Sequence, residues 1–232
     1  MLVLVMVEVF PWWNEKQKKL ADEAKKFADE KIPRGEEIAW TKEFPSDIIK
    51  EIGKRGWYGA IIPEELGGID VGVTGCCIIA EELARVCSAL TDAYAVTMFG
   101  GTEQLLAFGN DEQKEKWLPK VAKGKLLGAV CITEPNVGSD AAGIETTAAR
   151  EGDEYIVNGK KRFISNAGVA DNYLVYVKTS DRPEDKAKYK HLSALIIEKG
   201  TSGFSVEKIN ELSGWLGFPN GYLDFDDVRV PV

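Results

Sequence analysis

The period of the apolar residues changes once along the chain, near residue 126, and that change limits the fold more than any other feature of the sequence. Before it, apolar positions recur every three or four residues, the repeat of an amphipathic helix. After it, they alternate or run in short blocks bounded by turn residues, the repeat of strands. Asn14 and Gln17 have the spacing of a capping box, and Leu20, Ala21, Ala24, Phe27 and Ala28 follow on one helical face. Pro33 is expected to end that helix. Ser46 or Asp47 is placed to cap a second helix through Ile48, Ile49 and Ile52, stopped by Gly56. Further helices are expected over 76–86, 88–99 and 111–122. The middle one is almost uncharged and must therefore be buried. Strands are expected at 126–133, 148–150, 154–157, 160–165, 172–179, 192–198, 204–209, 222–225 and 228–230. Residues 151–153 and the Asn158-Gly159 pair read as hairpin turns, and 182–190 reads as an exposed polar loop. A run of helices followed by a run of strands is an α+β arrangement. It predicts an all-α N-terminal domain over 1–126 and an antiparallel, barrel-like β domain over 127–232.

Charge and composition then narrow the function. The chain has 29 basic and 37 acidic residues, a net charge of −8. A general nucleic-acid binder needs a basic face, so that class is excluded. The single histidine, His191, rules out His-rich metal sites and leaves little room for Ser-His-Asp chemistry; it reads as a solvated or structural residue. Cys76, Cys77, Cys87 and Cys131 form no C-x-x-C pair, so a zinc or redox motif is not expected and a reducing compartment fits. The apolar stretch 1–10 is too short to span a bilayer and lacks the basic start and cleavage site of a secretory signal. It reads as a strand or packed arm, and the expected location is cytoplasmic, with no membrane partner.

Two segments carry the chemistry. In Cys131-Ile132-Thr133-Glu134-Pro135-Asn136-Val137-Gly138-Ser139-Asp140 a strand runs into a Pro-broken, Gly-containing loop. Successive N–H groups in such a loop can form an anion nest, and the Ser139 hydroxyl adds a donor, so a phosphate or pyrophosphate ligand fits. An ordinary capped turn fits the same residues, and Glu134 reads as a structural acceptor. In Lys161-Arg162-Phe163-Ile164-Ser165-Asn166 an aromatic, a hydroxyl and an amide crowd a strand end. That set can flank a planar heterocycle and bond its edge; strand-end packing is the alternative.

Six elements in chain order resemble the acyl-CoA dehydrogenase family: Gly56–Gly59 with Pro63–Gly68, the Glu81–Arg85 helix, Gly109–Leu118, the T-E-P-x-x-G-S-D segment 133–140, the K-x-[WF]-I-[ST]-N-A/G-G element over Lys160–Gly168, and F-D-D-V-x-V-P at 225–231. The resemblance implies flavin adenine dinucleotide (FAD) as cofactor. Val130, Cys131, Ile132 and Thr133 would line the flavin, and Gly138 and Ser139 would hold the pyrophosphate. Phe163, Ile164 and Ser165 would cover the ring. Ser139 would also lie close to the acyl-CoA thioester, and Ala93, Val96 and Gly100 would form the floor of the acyl cavity. The implied reaction oxidises an acyl-CoA to the 2-enoyl-CoA by α-proton abstraction and β-hydride transfer to the flavin. It implies electron-transfer flavoprotein or a similar acceptor as partner. It also implies a homo-oligomer, or a companion chain that supplies the third, helical domain in which the family carries its catalytic Glu. No carboxylate of this chain matches that base, so no catalytic residue is assigned. Leu216 stands where members often carry an Arg. Two other readings fit the same motifs: an inactive flavin- or acyl-CoA-binding remnant, and another flavin oxidase or monooxygenase of the superfamily.

Overall fold

The structure is a computed structural model and describes residues 10–232; most of the apolar arm expected over 1–10 lies outside the described residues. The chain forms two compact units. One comprises 10–98, Leu105–Lys125 and Ser213–Phe218; the other comprises Phe99–Gln104, Leu126–Leu212 and Pro219–Val232.

In the first unit, helix α1 spans Glu15–Thr41 and starts at the Asn14–Gln17 capping box. Pro33 does not end it; the helix runs through the proline to Thr41. Tertiary packing explains the difference. A Cβ on Gly35 would stand 2.1 Å from the Val86 carbonyl oxygen, so glycine lets two backbones touch here. Ile38, one turn on, is buried. Those contacts hold the last turns against the roughly 3 kcal/mol that an interior proline costs. Helix α2 is Ser46–Lys54; the residue before it is Pro45 and neither Ser46 nor Asp47 makes a side-chain cap. Helices α3 (Gly72–Val86), α4 (Ser88–Thr97) and α6 (Asp111–Ala122) fall near their expected places, and a short α5 (Glu103–Phe108) precedes α6. The expected 88–99 helix becomes π-helical over Met98–Thr102. Phe27 meets Trp57 edge-on at 5.2 Å, and the Tyr94 hydroxyl donates to the Trp57 carbonyl.

The second unit is a seven-stranded sheet: β1 Gly128–Cys131, β2 Thr147–Glu151, β3 Glu154–Ser165, β4 Asn172–Lys178, β5 Leu192–Glu198, β6 Phe204–Ile209 and β7 Asn220–Pro231. Its order is β1-β4-β2-β3-β7-β6, with β5 also on β4. Most pairs are antiparallel, as expected, but β1 and β2 each run parallel to β4, which makes the sheet mixed. The polar 182–190 segment contains a short helix α7, Pro183–Lys186.

The Asn158-Gly159 hairpin expected from sequence is absent. Strand β3 runs straight through it, with a register shift against β7 between Val157 and Gly159. Gly159 serves close approach instead: at φ 148° a Cβ there would lie 2.6 Å from the Thr146 hydroxyl. The turn signal and the bulge signal are both a glycine in a strand, and only the partner strand tells them apart. The core of this unit gathers Ala129, Cys131, Val157, Ile164, Tyr173, Val175, Leu223 and Phe225.

Candidate flavin and acyl-thioester site

The last residues of β3 run antiparallel beside β1 and the residues that follow it. The Asn166 amide donates to the Gly128 carbonyl at 3.0 Å, the Lys161 ammonium to the Ile132 carbonyl at 3.1 Å, and the Arg162 N–H to the Thr133 carbonyl at 2.8 Å. With 128 opposite 166 and 133 opposite 162, the two segments run antiparallel and Val130 and Ile132 fall beside 163–165. Two of the expected cofactor segments therefore come together on one end of the sheet.

Within them the side chains divide by the strand alternation. Val130, Ile132, Thr133 and Ser165 are half-buried and reach the surface. Cys131 and Ile164 point into the core, so neither offers a ligand more than its backbone. Burial pushes the Cys131 thiol far up, which keeps it a neutral core residue. Phe163 behaves differently from its neighbours. It is 52% exposed and sits at φ 57°, a left-handed conformation that bulky residues avoid. The bulge between Lys161 and Ile164 turns its ring outward. The Arg162 guanidinium lies 4.2 Å from that ring, Tyr222 packs at 5.9 Å, and Asn220 donates to the Phe163 carbonyl.

The loop after β1 is pinned from inside and open outside. Gly138 and Ser139 are exposed, and no atom beyond the adjoining residues lies within 4 Å of where a Gly138 Cβ would stand. The glycine is not needed for internal room; it leaves the backbone bare to whatever approaches. Behind the loop, Glu134 is 2% exposed and accepts from the N–H groups of Glu145 (2.6 Å) and Thr146 (3.0 Å). Its carboxylate meets the fully buried Lys161 ammonium at 2.7 Å. Burial alone would push the Glu134 carboxyl up, but Lys161, Thr146 and the two N–H groups outweigh it and hold the carboxyl below the usual range. Burial pulls the Lys161 ammonium down, against the pull of Glu134. His191 is buried too, and its Nε2–H donates to the Ala142 carbonyl at 3.0 Å, so it is the structural residue of the two alternatives. Sequence reasoning placed Asn166 at the strand end and read His191 as solvated or structural, but it did not give the contacts that these two, Lys161 and Arg162 make behind the loop. Each acts on a residue distant in sequence, and only the K-x-F motif hinted at Lys161.

Of the expected acyl-floor residues, Ala93 and Val96 lie on α4, where Ala93 is fully buried and Val96 half-buried. Gly100 is buried in the π-helical turn, counted with the sheet unit, so it does not continue the α-helical spacing of the other two. Asp92, beside Ala93 and one turn before Val96, has an Oδ2 atom that is buried with no partner among the described residues.

These features can be set beside known proteins. The profile of the acyl-CoA dehydrogenase N-terminal domain matches residues 14–125, and that of the middle domain matches 129–228. An acyl-CoA dehydrogenase of Bacillus subtilis (strain 168) is 39% identical over 206 residues, which are 88% of this chain and 53% of that protein. Among solved structures, an acyl-CoA dehydrogenase from Geobacillus kaustophilus is similar with a TM-score of 0.88 at 31% identity, covering 96% of this chain and 58% of the other. One from Bacillus anthracis, complexed with FAD, is similar at 0.84 and 32% identity, covering 96% and 38%. The chain spans about half the length of the curated relatives it matches. Both profiles fall in chain order, the first mainly on the helical unit and the second mainly on the sheet unit, and the similar solved structures share the fold, so the chain belongs to the acyl-CoA dehydrogenase family.

Proposed function

We propose that the chain carries the flavin-binding and acyl-binding parts of an FAD-dependent dehydrogenase that converts an acyl-CoA thioester to the 2-enoyl-CoA. The observation that carries this reading is the exposed, strained Phe163 beside half-buried Val130, Ile132, Thr133 and Ser165, next to the open Gly138–Ser139 loop. These residues fit a planar heterocycle joined to a pyrophosphate. Val130 and Phe163 supply apolar cover, the Thr133 and Ser165 hydroxyls supply polar contacts at a ring edge, and the bare backbone at 138–139 suits an anion. Bound FAD supplies a two-electron acceptor for the hydride leaving the β-carbon.

The chain's own residues do the rest by positioning. The Ser139 hydroxyl serves both the pyrophosphate and the thioester. Ala93 and Val96 on α4, one small and one medium, are the side chains that this reading sets against the acyl chain. The base that takes the α-proton is not assigned to a residue of this chain. Electron-transfer flavoprotein or a similar acceptor, and an oligomer or companion chain, complete the reading, with a cytoplasmic location.

The test places a charge on the loop. Ser139→Asp sets a carboxylate against the pyrophosphate, and like-charge repulsion should weaken FAD binding by about tenfold or more. Flavin retained after gel filtration, read by visible absorbance, measures it. Retention equal to the parent's would remove Ser139 and its loop from the site.

A further inference from the structure

The Glu134–Lys161 pair is the one ion pair among the described residues in which both side chains are almost wholly buried, at 2% and 0% exposure. A buried pair is weak support for stability, because the desolvation of both charges offsets their attraction. Its location is more informative. Lys161 spends one N–H on Glu134 at 2.7 Å and another on the Ile132 carbonyl at 3.1 Å. The next carbonyl, that of Thr133, accepts from the Arg162 N–H. Both carbonyls at the β1 exit are thus turned inward and occupied. Glu134 closes the other side: it ties the loop at Glu145 and Thr146, and its N–H donates to the Val137 carbonyl at 2.8 Å. With the Ile132 and Thr133 carbonyls each bonded inside the protein, the Thr133 hydroxyl is left as a donor that this segment can turn toward a ligand.

We infer that Lys161 is a positioning residue that sets the hydrogen-bond polarity of the β1 exit, so that this segment presents donors to an acceptor-rich ring edge, with Glu134 holding Lys161 in place. The inference rests on the flavin reading above. An apolar residue at 161 would take the ammonium donor from the Ile132 carbonyl, and the peptide would have to turn or take a water to satisfy it.

Three variants of the 232-residue chain separate this role from plain structural support: Lys161→Met, Glu134→Gln, and the double variant. Each is measured for thermal midpoint, for amide exchange over 131–146, and for FAD dissociation constant by quenching of flavin fluorescence. Lys161→Met should lower the midpoint, because it strands the Glu134 carboxylate, and should weaken FAD by about tenfold or more. Glu134→Gln keeps the Lys161 bond to Ile132. It should lose midpoint yet hold the FAD constant within about threefold of the parent's. The double variant removes both charges, so its midpoint should recover relative to Lys161→Met. Its FAD affinity should stay about tenfold weak and its 132–134 amides should exchange faster. If Lys161→Met proves too unstable to assay, the comparison of Glu134→Gln with the double variant carries the same distinction. FAD affinity that simply follows the midpoint across the variants would make the pair structural and overturn the inference. A parent chain that binds no FAD would instead overturn the flavin reading on which it rests.

Discussion

Asp92 and Glu134 show how one residue type takes opposite protonation behaviour from its surroundings. Glu134 is buried, and Asp92 is half-buried with its Oδ2 out of contact with water. Glu134 has Lys161 and two backbone N–H groups, and its carboxyl is held low. Asp92 has no such partners; burial pushes its carboxyl up from the ordinary 3.8. The linkage follows from that direction. The folded state binds the Asp92 proton more tightly than the unfolded chain does, so ionised Asp92 costs stability. The cost is absent below the ordinary aspartate value and complete once pH rises above the shifted one. Asp92→Asn should therefore melt at a higher temperature than the parent at pH 7, and the two should converge below about pH 4. Melting curves across that range check it, and a gain that persists at pH 3 would mean that charge is not the cause. At this scale the sequence was only partly legible. Glu134 was readable as an acceptor from its place beside Pro135. Its partner, 27 residues away, was not, because a side-chain pair across strands leaves no local spacing to read.

Elements with a local signal were legible in sequence, and those decided by a partner were not. The capping box at Asn14 starts α1 where its spacing indicates, because both halves of the box lie within one turn. Pro33 and Asn158-Gly159 misled for the same reason as each other. Each is a strong local breaker overruled by packing, of Gly35 on Val86 in one case and of Gly159 on Thr146 in the other. The proline still carries its local cost. It has no N–H to offer the helix, and its ring crowds the carbonyl one turn back. Pro33→Ala should relieve both and stabilise the chain by about 1–3 kcal/mol, a rise of several degrees in thermal midpoint. A fall in midpoint would show that the proline is needed for the path of α1 rather than tolerated by it.

For the whole molecule, the change of period near 126 marks where the second compact unit takes over the chain, but the division is not a single cut. Phe99–Gln104 is counted with the sheet unit and Ser213–Phe218 with the helical one. The sequence could not show either exchange, since both segments are short and their own patterns are neutral; what assigns them is the surface each one covers. In the helical unit that surface is the end of α1. A Cβ on Gly217, at φ 86°, would stand 2.5 Å from the Ile38 side chain and 2.9 Å from the Glu43 carbonyl oxygen, so the late segment lies directly on residues from the start of the chain. A fragment of residues 1–125 lacks that cover. Ile38, 3% exposed in the whole chain, would be opened to water. Uncovering one such side chain costs about 1–2 kcal/mol. The loss is local, so it should appear first as exchange of the α1 amides after Pro33, while amides near Leu20 to Phe27 keep the protection given by Trp57 and α3. Hydrogen exchange of the 1–125 fragment beside the whole chain tests this. The expected result is about tenfold faster exchange over 36–41 with the first half of α1 little changed. Equal protection along the whole helix would mean that the first 125 residues complete their own core and that the 213–218 segment contributes nothing to it.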